Sequence, residues 1–198
     1  MGKKLFFFDY DGVILNSLIE KFFVGFNAYV NVNKYSNLLN GTTFTFENHE
    51  ERISSNQEIL NMFENMVPFI GPSGENALTF ELLEKNIIPE DYNSYQTLVN
   101  DVPKAKQDLY HKEVIKLRQE YGKHHKKKLD VLCPAFDAVV DVIKQNHIDK
   151  NFEILTTKNI EAVKHYNITN GLTKCFKAIH VADKVTTKTD ILLEISRT

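Results

Sequence analysis

Two carboxylates that could do chemistry stand one residue apart near the start of the chain, in the stretch FFFDYDGVILNS. Asp9 and Asp11 follow an apolar run, and Gly12 comes directly after them. Carboxylates this close repel each other unless a cation or a shared proton lies between them. Mg²⁺ binds a couple of carboxylates with substrate phosphate and water, and a glycine lets the backbone approach a ligand closely. Taken alone, the stretch also fits a polar turn that closes a strand.

Short apolar runs predict the strands that would carry such a site, and amphipathic segments predict the helices between them. The predicted strands cover residues 4–8, 152–155 and 176–181. The predicted helices cover residues 135–145, 160–166 and 188–195. Alternating strands and helices imply crossover connections and a parallel sheet. Ligands of open parallel sheets bind at the carboxyl ends of the strands, where Asp9 and Asp11 fall.

The chain between the first and second predicted strands has a different character. Helices are predicted over residues 20–32 and 95–121, with weaker candidates over 50–66 and 74–86, and residues 42–46 could be extended. The sequence therefore predicts an α/β core of residues 1–16 and 133–198. Residues 17–132 form a mostly helical insertion in this interpretation.

Composition narrows the function classes. The 198 residues are 42% hydrophobic and 25% charged, which is typical of a globular protein. The formal net charge of −2 gives no global field that favours nucleic acid. The basic run 122–128 fits a solvated helix end better than a binding patch.

No stretch is long and apolar enough for a membrane span, and the short run before Asp9 does not fit a signal peptide. Two distant cysteines fit reduced thiols, so we expect a cytoplasmic protein.

DYDGVILNS resembles the first motif of the haloacid-dehalogenase-like superfamily, which is Asp-x-Asp-Gly-Val followed by a short loop ending in Ser. The other motifs have matching places. FEILTTKN resembles the second motif, a strand ending in Thr or Ser, and puts Thr156 in that position. HVADKVTTKTDILLEI offers Lys184 and Lys188 for the lysine of the third motif, and Lys188 is preferred because it opens a helix. The resemblance implies a Rossmann-like, doubly wound parallel sheet, with the helical insertion as a cap.

This resemblance also implies a chemistry. Asp9 would be the nucleophile that forms an aspartyl-phosphate, and Asp11 would be the general acid and base. Thr156 and Lys188 would bind the phosphoryl oxygens. Mg²⁺ would be held by the Asp9 carboxylate, the Asp11 backbone carbonyl and an acid from a fourth motif. The sequence ends at Thr198 before that motif, so we expect a shortened product or a departure from the family. If the site proves complete without the motif, Asp183 and Asp190 are the first residues to examine as a substitute ligand.

The second acid argues for phosphate-ester chemistry rather than dehalogenation, which needs only the first aspartate. The leading expectation is a Mg²⁺-dependent hydrolase of a small phosphorylated metabolite, in a protein that is a monomer or weak homodimer. A sugar-phosphate mutase on the same scaffold is an alternative, as is a non-catalytic protein that binds metal or a partner.

In the cap, the loop 69–76 has two glycines and could approach a substrate, or it could be an ordinary turn between helices. Gly71, Ser73 and Gly74 are its candidate residues.

Overall fold

A three-stranded parallel sheet stands in the part of the chain that carries the predicted strands. The computed structural model describes residues 4–71, 73–183 and 185–197. Strands β1 (Leu5–Phe8), β2 (Asn151–Thr156) and β3 (Ile179–Val181) are hydrogen-bonded in the order β1-β2-β3. Phe8 of β1 is in register with Ile154, and Ile154 is in register with Ile179. The prediction of a parallel α/β sheet is confirmed.

The helices that flank these strands in sequence also match the predicted ones closely. They are α8 (Asp137–Asn146) before β2, α9 (Ile160–Thr169) after β2, and α10 (Lys188–Ile195) after β3. (The numbers α1 to α7 belong to the insertion.) The third strand is shorter than predicted, because only its last three residues form the ladder, although Ala178 still accepts a hydrogen bond from the Ile154 amide (3.0 Å).

The first strand is less buried than its sequence suggests. A continuous apolar run is typical of a strand covered on both faces. Among the described residues, however, β1 pairs with β2 alone, and Phe6 is 40% exposed. The buried strand is β2, where Phe152 and Ile154 join one core cluster with Val140 of α8 and Val163 of α9. Helices on both faces of the sheet stay a prediction, since α10 has no buried residue.

The insertion contains seven α-helices among its described residues. These are α1 (Leu18–Val32), α2 (His49–Ser54), α3 (Gln57–Met66), α4 (Glu75–Glu84), α5 (Tyr92–Asp101), α6 (Lys104–His124) and α7 (Lys126–Val131). Short 3₁₀ turns occur at Leu38–Gly41 and Val67–Phe69. Residues 42–46 lie outside any strand, and the Asn27 side chain bonds both the amide (2.6 Å) and the carbonyl (2.9 Å) of Phe44.

Two single helices predicted from the pattern are each divided in the structure. The prediction over 95–121 was wrong because Pro103 separates α5 from α6. Val102 is extended (ψ 128°), as expected for a residue before proline. The prediction over 50–66 was wrong because the chain leaves helical geometry at Asn56, between α2 and α3.

An aromatic core holds the helical insertion together. Helix α1 is buried on nearly every side. Its Phe22 and Phe26 belong to the same core cluster as Phe80 of α4. The ring of Phe80 lies 5.0 Å from that of Phe63 and 5.1 Å from that of Phe22, between ring centroids. Gly25 allows α1 to approach α4, because a Cβ there would lie 2.9 Å from the Asn76 carbonyl oxygen.

The contacts divide the chain into two compact units. One contains the described residues of Met1–Ser17 and Cys133–Thr198, called the sheet unit below, and the other is Leu18–Leu132, called the helical unit. Within the described residues, no helix combines the length and apolar character that crossing a membrane requires.

Candidate active site

The Asp-Tyr-Asp segment follows β1 directly and alternates between core and surface. Tyr10 is fully buried, and its hydroxyl donates to Asn167 Oδ1 (2.7 Å) on α9. Burial, with Asp11 nearby, raises the pKa of Tyr10 well above its usual value. Because Tyr10 is anchored in the core, the flanking Asp9 and Asp11 remain partly exposed at the carboxyl end of β1. The buried tyrosine therefore fixes the backbone positions from which the two carboxylate side chains extend.

A tight turn after Asp11 depends on Gly12. Its φ is +83°, in the left-handed region that other residues avoid. The Gly12 amide donates to the Leu15 carbonyl (2.7 Å), and the Ile14 and Leu15 amides donate to the Tyr10 carbonyl. The turn closes on itself in this way, so the main chain around Asp11 is held without a regular element.

Asp9 forms an ion pair with the first residue of α10. Lys188 Nζ lies 2.7 Å from Asp9 Oδ2, while Asp9 Oδ1 accepts a hydrogen bond from the Tyr10 amide (2.7 Å). A cation in the first turn of a helix is unfavourable with respect to the helix dipole, so its position needs a compensating partner. Asp9 supplies it. The alternative lysine, Lys184, lies outside the described residues.

Asp11 forms an ion pair with a lysine that sequence reasoning missed. Lys158 Nζ lies 2.9 Å from Asp11 Oδ1, across 147 residues of sequence. Lys158 is in the loop between β2 and α9, two residues after Thr156. The signal in the sequence was its place in TTKN, directly after the predicted strand end.

Thr156 is the last residue of β2 and is almost fully buried. Its Oγ1 accepts a hydrogen bond from the Lys158 amide (3.0 Å), and its carbonyl accepts one from the Ala182 amide (2.8 Å). A threonine hydroxyl that accepts one bond keeps its own proton as a donor. Through Lys158, the ends of β1 and β2 are therefore joined at a single place.

The two ion pairs differ in burial. The Lys158 and Asp11 side chains are 14% and 26% exposed, whereas those of Lys188 and Asp9 are 35% and 44% exposed. A pair that solvent screens less interacts more strongly. The site therefore contains two negative and two positive groups, which are Asp9, Asp11, Lys158 and Lys188.

The oxygen donors expected to hold Mg²⁺ are partly present. The Asp9 carboxylate and the Asp11 carbonyl are hard ligands of the kind Mg²⁺ prefers, and one or two carboxylates suffice when substrate and water complete the shell. Within the described residues, no three His, Cys, Asp or Glu side chains gather into a metal-binding group. This donor set fits Mg²⁺ bound together with a phosphate.

The two substitute acids have structural partners of their own. Asp183 Oδ1 accepts from the amides of Val185 and Thr186, which lower its pKa. Asp190 Oδ2 accepts from the Thr187 amide (2.9 Å), and the Thr187 hydroxyl in turn caps α10. Both carboxylates thus stabilise the turn and cap that present Lys188.

The three candidate residues of the loop 69–76 lie in the helical unit and have contacts there. The Gly71 amide donates to Glu75 Oε2 (2.8 Å), and Ser73 Oγ accepts from Arg118 Nη1 (3.0 Å). A Cβ at Gly74 would lie 2.9 Å from the His111 backbone, so glycine permits close packing there. These three residues thus have structural contacts within the helical unit, and a role in substrate binding stays a prediction.

Comparison with known proteins finds similar solved structures but no similar family model. No protein-family model matches the sequence, and no curated protein matches it. A crystal structure of a predicted phosphoglycolate phosphatase from Haemophilus somnus 129PT is 14% identical, with a TM-score of 0.48 over 90% of this chain and 62% of that one. A haloacid dehalogenase-like family hydrolase from Streptococcus pneumoniae is 12% identical, with a TM-score of 0.50 over 98% of this chain and 69% of that one.

The second of these similarities extends over nearly the whole chain. It confirms, at the level of the fold, the resemblance that the motifs around Asp9, Thr156 and Lys188 predict. The chain spans about two thirds of the length of these two proteins. At such low sequence identity the similarity concerns the fold, and activity has to be argued from the residues.

Proposed function

We propose that this chain is a Mg²⁺-dependent phosphomonoester hydrolase that acts on a small phosphorylated metabolite through an aspartyl-phosphate. One observation carries the proposal. Asp9 and Asp11, at the carboxyl end of β1, are each paired with a lysine from another part of the sheet unit. One lysine opens α10, and the other lies in the loop after β2 and also bonds Thr156 at the end of β2. The residues proposed as nucleophile, acid, hydroxyl donor and cations thus lie at the end of the sheet where parallel sheets bind ligands, which supports the proposal.

In the first step, a carboxylate oxygen of Asp9 attacks phosphorus, and the bond from phosphorus to the leaving oxygen breaks. Asp11 gives its proton to that leaving oxygen, so the alcohol departs neutral. In the second step, Asp11 takes a proton from water while the water oxygen attacks phosphorus. Inorganic phosphate leaves, and the Asp9 carboxylate is restored.

The phosphoryl group needs positive and donor groups around it, because its oxygens carry the developing charge. Lys188 is placed to supply a cation, since its ammonium already contacts the Asp9 carboxylate (2.7 Å). Thr156 would donate its hydroxyl proton to a phosphoryl oxygen. When bound to Asp9 and the Asp11 carbonyl, Mg²⁺ would reduce the repulsion between the anionic nucleophile and the anionic substrate.

Substrate choice is assigned in this proposal to residues 17–132 acting as a cap. Many enzymes close a loop or domain over the site to exclude water from the reaction. The helical unit has its own core and its own charge networks. A domain that moves as a rigid body needs such internal contacts.

The test is release of inorganic phosphate from a panel of phosphate esters by the 198-residue chain with millimolar Mg²⁺. We expect release that stops when the metal is chelated. The matched control is Asp141→Asn, on the exposed surface of α8, which should keep full activity. Transfer of the phosphoryl group between sugars without release would favour the phosphotransferase. Inactivity on every ester would contradict the proposal and favour a binding protein.

A further inference from the structure

Lys158 is more firmly placed than an ordinary surface lysine. Its side chain is 14% exposed, and its ammonium lies 5.6 Å from the centroid of the Tyr166 ring. Its amide donates to Thr156 Oγ1 (3.0 Å), so the main chain is fixed as well. A free lysine side chain samples many rotamers, and these contacts restrict that freedom before any substrate arrives.

The partner of Lys158 is the carboxylate whose position matters most for proton transfer. A general acid must lie within hydrogen-bond reach of the oxygen that it protonates. Displacement of a catalytic group by about 1 Å can cost on the order of a hundredfold in rate. Asp11 stands in a turn outside regular secondary structure, so its side chain needs an external contact to define its direction.

We propose that Lys158 is a positioning residue for Asp11. It holds Oδ1 of Asp11 through the 2.9 Å contact, and the transferable proton is therefore carried on Oδ2. A proton on Oδ1 would compete with the ammonium for the same oxygen. This inference rests on the proposed function, because it assigns the geometry of the general acid in that reaction.

A specific dependence on the leaving group follows. An alkyl phosphate releases a strongly basic alkoxide and needs a proton from Asp11 in the step that breaks its bond. 4-Nitrophenyl phosphate releases a weakly basic phenolate and departs without that proton. Loss of positioning at Asp11 therefore slows the alkyl ester selectively, whereas loss of a direct phosphate contact slows both esters equally.

The experiment measures kcat/KM of the full chain on glycerol phosphate and on 4-nitrophenyl phosphate, because kcat/KM reports the steps up to bond cleavage. In Lys158→Met the aliphatic stem can still pack on Tyr166 while the charge is lost. We expect kcat/KM for glycerol phosphate to fall about a hundredfold or more, and that for 4-nitrophenyl phosphate to fall less than tenfold. The matched control is Lys164→Met on α9. Its exposed lysine pairs with Glu161 one turn away (3.0 Å), and the substitution should leave both values unchanged.

A double variant separates positioning from a general structural effect. If Lys158 acts through Asp11, Lys158→Met should cause no further loss for glycerol phosphate in an Asp11→Asn background. Equal losses on both esters, or losses that multiply in the double variant, would overturn the inference alone. Wild-type protein that hydrolyses neither these two esters nor any other ester of the panel would overturn the proposed function and this inference with it. Should Lys158→Met fail to fold, Lys158→Gln is measured on the same two esters.

Discussion

The Glu20 and Glu81 side chains of the helical unit are 6% and 10% exposed, whereas the Asp9 and Asp11 side chains of the sheet unit are 44% and 26% exposed. Glu20 is bound in two places by Arg118, through Nε (2.8 Å) and Nη2 (3.1 Å). Each of these four carboxylates has a cationic partner, but the two in the sheet unit are more open to a ligand than the two in the helical unit.

That difference separates charges used for structure from charges available for chemistry. In the helical unit Glu81 receives hydrogen bonds from Lys85, Lys106 and Tyr110, so little of its bonding capacity remains. An ion pair at the mouth of a site can be exchanged for contacts to substrate and metal at small cost, because solvent already screens it in part. Mutations in the two units should therefore affect different measurements.

The largest expected effect is on activity, in Asp9→Asn. An amide is a far poorer nucleophile than a carboxylate, so phosphate release should fall at least about a thousandfold. The melting temperature should change little, because the Asp9 side chain is nearly half exposed. Phosphate release and thermal unfolding are measured on the same samples. Normal turnover by the variant would assign the nucleophile elsewhere.

The next effect is on stability, in Phe80→Ala of the helical unit. Phe80 is fully buried against Phe22, Phe26 and Phe63, so the cavity should lower the free energy of unfolding by about 3–5 kcal/mol. Tyr35→Ala is the control, since that ring is 96% exposed and its loss should cost less than about 0.5 kcal/mol. If denaturant unfolding gave both variants the same loss of unfolding free energy, the aromatic core would not be as described.

Acid should weaken the helical unit through Glu81. Burial alone would raise its pKa, but hydrogen bonds from Lys106, Lys85 and Tyr110 outweigh burial and lower the pKa from 4.5 to about 2. A carboxyl with a lowered pKa contributes stability above its unfolded pKa, and this contribution is lost as the pH falls from about 4.5 towards 2. At pH 7, Glu81→Gln should cost on the order of 2 kcal/mol, and the cost should shrink as the pH approaches 2.

The control for Glu81 is Glu90→Gln, at an exposed position. Urea unfolding at pH 7, 4 and 3 would follow both variants against wild type. A cost for Glu81→Gln that stays constant with pH would contradict the role given to its charge.

The smallest effects come from a pair of glycines with opposite expected signs. A Cβ would meet nothing within 4 Å at either Gly12 or Gly122, so only backbone conformation decides. Gly12→Ala should cost about 1–2 kcal/mol, because φ is +83°. Gly122→Ala should gain about 0.5–1 kcal/mol, because the residue lies within α6. Denaturant unfolding that gave both substitutions the same sign would contradict the turn described after Asp11.

The features that sequence predicted well are those set by local patterns. Apolar runs located β1 and β2, and the start of α10 at Lys188 was found from the pattern of the helix that follows it. The division between α5 and α6 was also readable from Pro103, because proline disrupts the interior of a helix and restricts the residue before it.

The features that sequence missed depend on distant parts of the chain. Lys158 looked like one more loop lysine, because its partner Asp11 is 147 residues away. The exposure of β1 depends on which strands pair with it, which its own apolar run does not reveal. The aromatic core of the helical unit likewise joins rings from α1, α3 and α4, and no single segment shows that arrangement.

The central claim is that Asp9 carries the phosphoryl group during turnover. Its most direct test is rapid acid quenching of the wild-type chain during turnover with Mg²⁺ and a substrate found in the ester panel, followed by mass spectrometry of the peptides. We expect one phosphoryl group on the peptide that contains Asp9, and none in Asp9→Asn. Brisk turnover with no phosphorylated peptide, or with the group on another residue, would contradict it.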